Sequence, residues 1–215
     1  MKSLLKKEIS LSMHPTALIF LSFSFMLLIP NYPYYVIFFY TGLAIFFTCM
    51  NGRENHDVFY TVTLPIAKKE VVKARFIFVI ILELLQALLS IPFAVIRQWM
   101  PLAGNQVGMD ANIAFFGLSF IMMGVFNLIF FGIYYKNVTK VGKAFVWASS
   151  IFFAIMIIAE ACVHVIPFVR DYLDTKDTEY LIIKISLLMI GMGIYILLTL
   201  IAYFKSVSNF EKLDL

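Results

Sequence analysis

Charge is scarce in this sequence, and so are the residues that build reactive centres. Asp, Glu, Lys and Arg make up 14% of the 215 residues, against about 25% in soluble globular chains, which argues against a water-soluble monomer. Two cysteines cannot form a disulfide framework, and with three histidines they offer no zinc-finger spacing, so no metal site is expected. No Gly-x-x-x-x-Gly-Lys-Ser/Thr segment occurs, and nothing in the chain can cradle nucleotide phosphates in the P-loop manner. Ser/His and two-metal constellations are equally lacking, so no catalytic residue is expected. The excess of 17 Lys and Arg over 13 Asp and Glu is not gathered on one surface segment, and nucleic acid is not an expected partner.

What is abundant is apolar length. Apolar residues make up 62% of the chain, and they run in stretches at 16–29, 34–50, 76–96, 113–135, 145–168 and 181–204. The last four reach the roughly 20 residues that a helix needs to cross about 30 Å of hydrocarbon. The first two are shorter and are separated by Pro30-Asn31-Tyr32-Pro33, a turn signal, since each proline fixes φ and disfavours helix at the residue before it. A hairpin follows that thins the bilayer, borrows residues 11–15 or re-enters. The expected fold is all-α, a polytopic membrane protein with six transmembrane helices forming one transmembrane domain over 1–215. Residues 1–15 make an interfacial amphipathic helix, 16–50 the hairpin, 51–75 a cytoplasmic segment, 76–204 four further spans and 205–215 a cytoplasmic tail.

Orientation follows from the lysines and arginines, which cytoplasmic segments retain. With the N-terminus inside, only Arg97, Arg170, Lys176 and Lys184 fall outside, so both termini are expected in the cytoplasm. Tyr32, Tyr34, Tyr35, Trp99, Tyr134, Tyr135, Trp147, Tyr172, Tyr180 and Tyr203 lie near span ends and are expected at headgroup level. On the N-terminal helix Leu4, Leu5, Ile9 and Leu11 share one half and Lys2, Lys6, Lys7 and Ser10 the other, with Glu8 misplaced on the apolar side.

The segment 51–75 is too patterned for a mere connector. Val58, Phe59 and Val62 fall at i, i+1 and i+4 and give a small apolar face on a short helix, preceded by Arg53, Glu54 and Asp57. Pro65 suits a first helical turn, so a helix is predicted to open there and run on into the third span. A surface helix joined to a membrane helix can pass motion from a cytoplasmic partner into the bilayer.

These residues resemble the membrane subunits of type-2 ABC exporters. The likeness rests on Leu4-Leu5-Lys6-Lys7-Glu8, the hairpin, Arg53-Glu54 and above all the run Leu64-Pro65-Ile66-Ala67-Lys68-Lys69-Glu70-Val71-Val72-Lys73-Ala74-Arg75-Phe76. It covers about the first 80 positions; the remainder agrees in hydropathy and topology. In size the chain is similar to the small bacterial branch that exports amphipathic peptides, including phenol-soluble modulins. The resemblance implies a permease subunit in a bacterial cytoplasmic membrane, with no cofactor of its own. ATP and Mg would be bound by a separate cytoplasmic ABC ATPase, and a second permease subunit, in a homodimer or heterodimer, would complete the pathway. It implies that 51–75 is the coupling segment, in which Val58, Phe59, Val62 and Leu64, followed by Pro65, fill a groove on the ATPase. Arg53, Glu54, Asp57, Lys68, Lys69 and Glu70 set orientation at the rim.

Polar residues inside the spans are costly and face protein or water. Glu83, Gln86, Ser90 and Arg97 fall on one stripe of the third span. Glu160 and His164 are an i, i+4 pair on the fifth, able to share a proton, and Asn127 is a third polar site. Two readings stay open, hydrogen bonding within the bundle and the lining of a transport route. A proton-coupled secondary transporter using Glu83, Glu160 and His164 is the alternative function. Cys49 and Cys162 lie toward opposite ends of their spans and read as packing residues. The many Met and Phe residues read as lipid-facing filler. Gly191 and Gly193 thin the last span, a conceivable seam between subunits.

Overall fold

Every regular element in the computed structural model, which describes residues 2–100 and 104–213, is helical. In chain order these are α1 (Lys2–Lys7), a π turn (Glu8–Ser12), α2 (Thr16–Ser22) continued by a 3-10 helix (Phe23–Leu28), α3 (Val36–Glu54) and α4 (Asp57–Thr63). There follow α5 (Lys68–Trp99), α6 (Ile113–Tyr134), α7 (Val141–Val165), a second π turn (Val169–Leu173) and α8 (Leu181–Glu211). Five helices, α3 and α5 to α8, are long and apolar enough to cross a membrane. A sixth span exists if two bent pieces count as one, since Lys2–Ser12 meets Thr16–Leu28 at 87°.

The brevity of the first span has a local cause. Pro15 keeps His14 out of helical geometry, and His14 Nδ1 accepts from Thr16 N at 3.3 Å, fixing where α2 starts. Ser22 and Ser24 then donate their hydroxyls to Ile19 O and Leu21 O, three residues back. Such side-chain bonds compete with the α-helical ladder, and the chain tightens into 3-10. Seven α and six 3-10 residues rise about 22 Å, short of a bilayer core. At the hairpin tip Asn31 takes a left-handed conformation (φ 52°) that Asn tolerates. The chain returns so that His14 N donates to Thr48 Oγ1 and Asn51 Nδ2 to Ser12 O.

Helix α6 is the centre of the packing. Asn112 caps it by accepting from Phe115 N at 3.0 Å, and buried side chains surround most of its circumference. Helix α8 lies along it at backbone contact. A Cβ on Gly191 would strike the Gly117 carbonyl, and one on Gly124 would come within 3.0 Å of Tyr195 Cα. The glycine pair read from sequence as a conceivable subunit seam therefore splits: Gly191 packs inside the chain, while nothing lies near Gly193. Many of the phenylalanines are also reassigned, because they pack on other rings in the core, while Phe25, Phe168 and Phe204 stay exposed. Phe39 meets Phe153 at 4.5 Å, Phe46 stacks on Phe145 at 4.3 Å, and Phe126, Phe130 and Tyr134 form a stack. Tyr34, Tyr35, Tyr134 and Tyr135, expected at headgroup level, are buried in this core, whereas Trp99 is 82% exposed.

The connections sort to two ends. At one, Lys7 meets Asp57, Arg53 Nη1 reaches Thr139 O and Lys68 Nζ donates to Leu213 O at 2.6 Å, so Lys7 and Leu213 lie at the same end. At the other, Asn105 Nδ2 donates to Tyr32 O and Asp110 N to Asp174 Oδ1. Of the 17 Lys and Arg, only Arg97, Arg170, Lys176 and Lys184 stand toward the second end. The two are termed the basic end and the acidic end below.

Candidate coupling site and buried polar groups

At the basic end, His56 in a left-handed conformation (φ 51°) stops α3 and turns the chain into α4. Asp57 opens α4 and points inward. Its Oδ1 is 2.8 Å from Lys7 Nζ, and its Oδ2 is 3.4 Å from Arg75 Nη2 and accepts from Ser12 Oγ at 3.3 Å. Arg75 projects from the first turns of α5, is 4% exposed, and places Nε 2.7 Å from Glu8 Oε2 and Nη1 3.6 Å from Cys49 Sγ. Lys7 completes the group, 3.3 Å from Glu8 Oε1 and donating to Thr61 Oγ1 at 3.1 Å. A guanidinium taken out of water needs such neutralisation, and two carboxylates from separate elements supply it. The start of the chain, α4 and α5 are thereby bound into one unit, with the end of α3 beneath it.

The apolar face assigned from sequence to a partner is turned largely inward. Val58 is buried, and Phe59 and Val62 pack half-buried against the bundle. The rim of α4 is instead Tyr60, 69% exposed, and Leu64, 39% exposed. A notch of about 290 Å³ lies between the π turn, the end of α3 and α4, with Leu11 and Tyr60 beside Asn51, Asn55 and Asp57. Pro65 does not open a helix. Leu64 is extended (ψ 154°), as the residue before proline prefers, and Ile66 N donates to Leu64 O at 2.7 Å, a γ-turn about Pro65. Helix α5 starts three residues later, at Lys68. Of the charged rim residues, Arg53 reaches Thr139 and lies 3.7 Å from Glu54, Lys68 is held by Leu213, Glu70 is half-buried and Lys69 is exposed.

The stripe on α5 is buried throughout, and its contacts hold helices together. Glu83 Oε2 accepts from Tyr195 OH at 2.6 Å and from Asn127 Nδ2 at 3.0 Å, and Asn127 also reaches Thr199 Oγ1 at 3.4 Å. Gln86 Nε2 and Ser90 Oγ both donate to Ser24 Oγ, at 2.8 and 3.1 Å, while Arg97 Nη2 is 3.7 Å from Asp110. Glu160 and His164 turn from each other to one segment. Glu160 Oε2 accepts from Met109 N at 2.9 Å, and His164 Nε2 is 3.2 Å from Val107 O. That segment, 104–112, straps the acidic end: Gln106 N donates to Asn31 Oδ1 and Gln98 Nε2 to Ala111 O. Gly108 leaves room there for the Glu160 carboxylate, which a Cβ would displace from its present place. Asp174, beside Asp110, is pushed up to about 6 by burial, which its bond from Asp110 N and the nearby Lys184 and His164 only partly offset. Among the described residues no group of three or more His, Cys, Asp and Glu could hold a metal ion.

The sequence reading missed Lys7, Glu8, Arg75 and Tyr60. A signal existed for two of them: Glu8 was the one charge on an apolar face, and Arg75 stands between Ala74 and Phe76 in the apolar register of α5.

Nearly the whole chain has a counterpart among known families. The family described as ABC-2 family transporter protein matches residues 3–211. The chain belongs to that family. As an ABC-2 protein it is a multi-pass membrane component of ABC transport and not the catalytic part. No curated protein and no solved structure matches it.

Proposed function

We propose that the chain is the permease subunit of an ATP-driven exporter in a bacterial cytoplasmic membrane, with the basic end and both termini in the cytoplasm. A second permease subunit, identical or related, pairs with it, and a cytoplasmic ABC ATPase that holds ATP and Mg docks at 51–75. The cargo is amphipathic peptides, antimicrobials or similar lipophilic compounds, moved outward. The observation that carries this reading is the tie of α4, through Asp57, to Arg75 and Lys7: a push on α4 reaches α5 and the N-terminal helix without passing through a flexible joint. In this reading the docking contacts are Tyr60, Leu64 and Leu11 around the notch, with Phe59 at the edge, Lys69 and Arg53 at the rim, and Val58 and Val62 supporting α4 from beneath. The bonds of Glu83 go to Tyr195 and Asn127, and those of Glu160 and His164 to the strap, which favours positioning roles over a proton relay. The test is affinity purification of the tagged chain from its native membrane. Wild type should retain a stoichiometric soluble ATPase, and Tyr60→Asp with Leu64→Asp should lose it while still inserting. Undiminished recovery and export by that double variant would remove the docking assignment.

A further inference from the structure

Helices α5 and α8 meet where Tyr195 OH donates to Glu83, and at the acidic end a reciprocal pair ties α5 to the loop that leads into α8. There Gln98 Nε2 donates to Asp177 Oδ2 at 2.6 Å and Asp177 N donates to Gln98 Oε1 at 3.1 Å. Between the two ties the helices stand apart over α6, whose Phe116 and Phe120 form the floor of an apolar trough of about 570 Å³ walled by Leu84, Leu88 and Ile91 on one side and Leu188 and Met192 on the other. A smaller hollow of about 260 Å³ continues it past Leu84 toward Thr199. At Gln98 a third, of about 490 Å³, opens onto Trp99, Lys176 and Thr178.

The trough lies among three candidate spans, and its walls are apolar up to the mouth, where the chemistry changes. Trp99 is 82% exposed, as an indole at headgroup level would be, and Lys176, which borders the mouth on one side and a hollow with Asp110, Asp174 and Glu179 on the other, is in no ion pair among the described residues. The neighbouring Asp177 is already engaged, accepting from Ile113 N and Gln98 and standing 3.9 Å from Lys184. From Leu84 to Gln98 the trough follows α5 for about 21 Å at roughly 1.5 Å per residue, somewhat more than the roughly 15 Å that one leaflet contributes to the hydrocarbon core. A helix about 10 Å wide laid along that length would displace roughly 1,600 Å³, so a helix from a peptide or a second copy would ride over the trough, whereas a hydrocarbon chain fits inside it. The ligand that matches an apolar slot ending in a cation, a hydroxyl and an indole is an amphiphile with an anionic head.

We propose that this trough binds one acyl chain of a glycerophospholipid from the leaflet at whose surface Lys176 lies, with the lipid phosphate held by Lys176 and Thr178 beside Trp99. The site is separate from the coupling site and does not depend on the direction of transport.

Native mass spectrometry of the purified chain in mild detergent tests this, with phosphatidylglycerol and diacylglycerol of matched chains as probes. Wild type should retain one phosphatidylglycerol at least tenfold better than the diacylglycerol. Leu88→Trp, which fills the trough from an exposed position, and Lys176→Glu, which reverses the mouth, should each lower retention at least fivefold. Ile157→Trp, on the exposed face of α7, should not. Equal retention of the two probes, or equal loss in all three variants, would mean ordinary annular lipid and overturn the proposal. So would efficient Leu88→Cys cross-linking between two copies in the native membrane, which would place a second chain over the trough. The readout needs neither ATPase nor export, so its failure and that of the exporter reading are distinguishable.

Discussion

Arg75 Nε lies 2.7 Å from Glu8 Oε2, and the two side chains are 4% and 2% exposed. This pair joins the π turn that follows α1 to the first turns of the long α5, and Asp57 adds α4 to the same guanidinium. A buried charge of this kind is a poor source of net stability, but its removal leaves partners stranded. It is therefore suited to fixing one arrangement of three elements that must move together.

Removing the guanidinium alone should cost about 3–5 kcal/mol, the range for breaking a buried ion pair. Arg75→Met is the variant of choice, since it keeps most of the volume. Reversible unfolding in detergent should show the loss, and Arg75→Met combined with Glu8→Gln should recover a good part of it, because no uncompensated carboxylate then remains at Glu8. Full additivity of the two single changes would mean that the pair is not energetically coupled.

Asp57→Asn separates docking from transmission. The exposed Tyr60 and Leu64 are untouched, so the ATPase should still co-purify in normal amount. The charged link to Lys7 and Arg75 is gone, and transport in inside-out vesicles should fall at least tenfold, with much less effect on ATP hydrolysis. Normal transport by this variant would mean that motion passes to α5 by another route.

Helix contact at glycine gives a prediction about assembly of the bundle. A side chain at Gly191 meets the Gly117 carbonyl, which is backbone and cannot swing away. Gly191→Ala should cost about 1–3 kcal/mol, as overpacking does, seen as a lower unfolding midpoint. Gly193→Ala, where nothing lies near, should change it little.

The contrast between those glycines shows where sequence reading stopped. Span positions were legible because apolar runs have to match the bilayer, whereas Pro65, which suits a first helical turn, closes a γ-turn ahead of the helix instead. The 3-10 ending of the first span was harder, because it depends on Ser22 and Ser24 choosing carbonyls over solvent. Which way a face points was not legible. Val58, Phe59 and Val62 form an apolar patch on any helical wheel, and only the tertiary pairing of Asp57 with Arg75 decides that they turn inward and Tyr60 outward. Likewise Glu160 and His164 have the spacing of a pair, yet the 104–112 strap offers each a closer backbone partner.

Glu160 is expected to position that strap, which Glu160→Gln tests. The amide oxygen can still accept from Met109 N, so ATP-dependent transport should remain within about twofold of wild type, whereas Glu160→Leu removes the acceptor and should lower the unfolding midpoint. Loss of transport in Glu160→Gln, or a moved pH optimum, would instead support proton relay.

Asp174 gives the strap a pH dependence whose sign is fixed by the direction of its shift. Burial raises the carboxyl from 3.8 to about 6, so the folded chain holds this proton more tightly than the unfolded one does. Its contribution is fully present below about 4, declines as pH rises through about 6, and is constant above that, because both states are then ionised. The charges facing it are Asp110 and Glu160, which oppose ionisation, and Lys184 and His164, which favour it. Asp174→Asn keeps an oxygen for Asp110 N but cannot ionise. The unfolding midpoint of wild type, measured relative to this variant, should fall between about pH 4 and 6 and level off near 7. A wild type that gains on the variant over the same interval would mean that Asp174 is held ionised in the fold, with Lys184 and His164 outweighing burial.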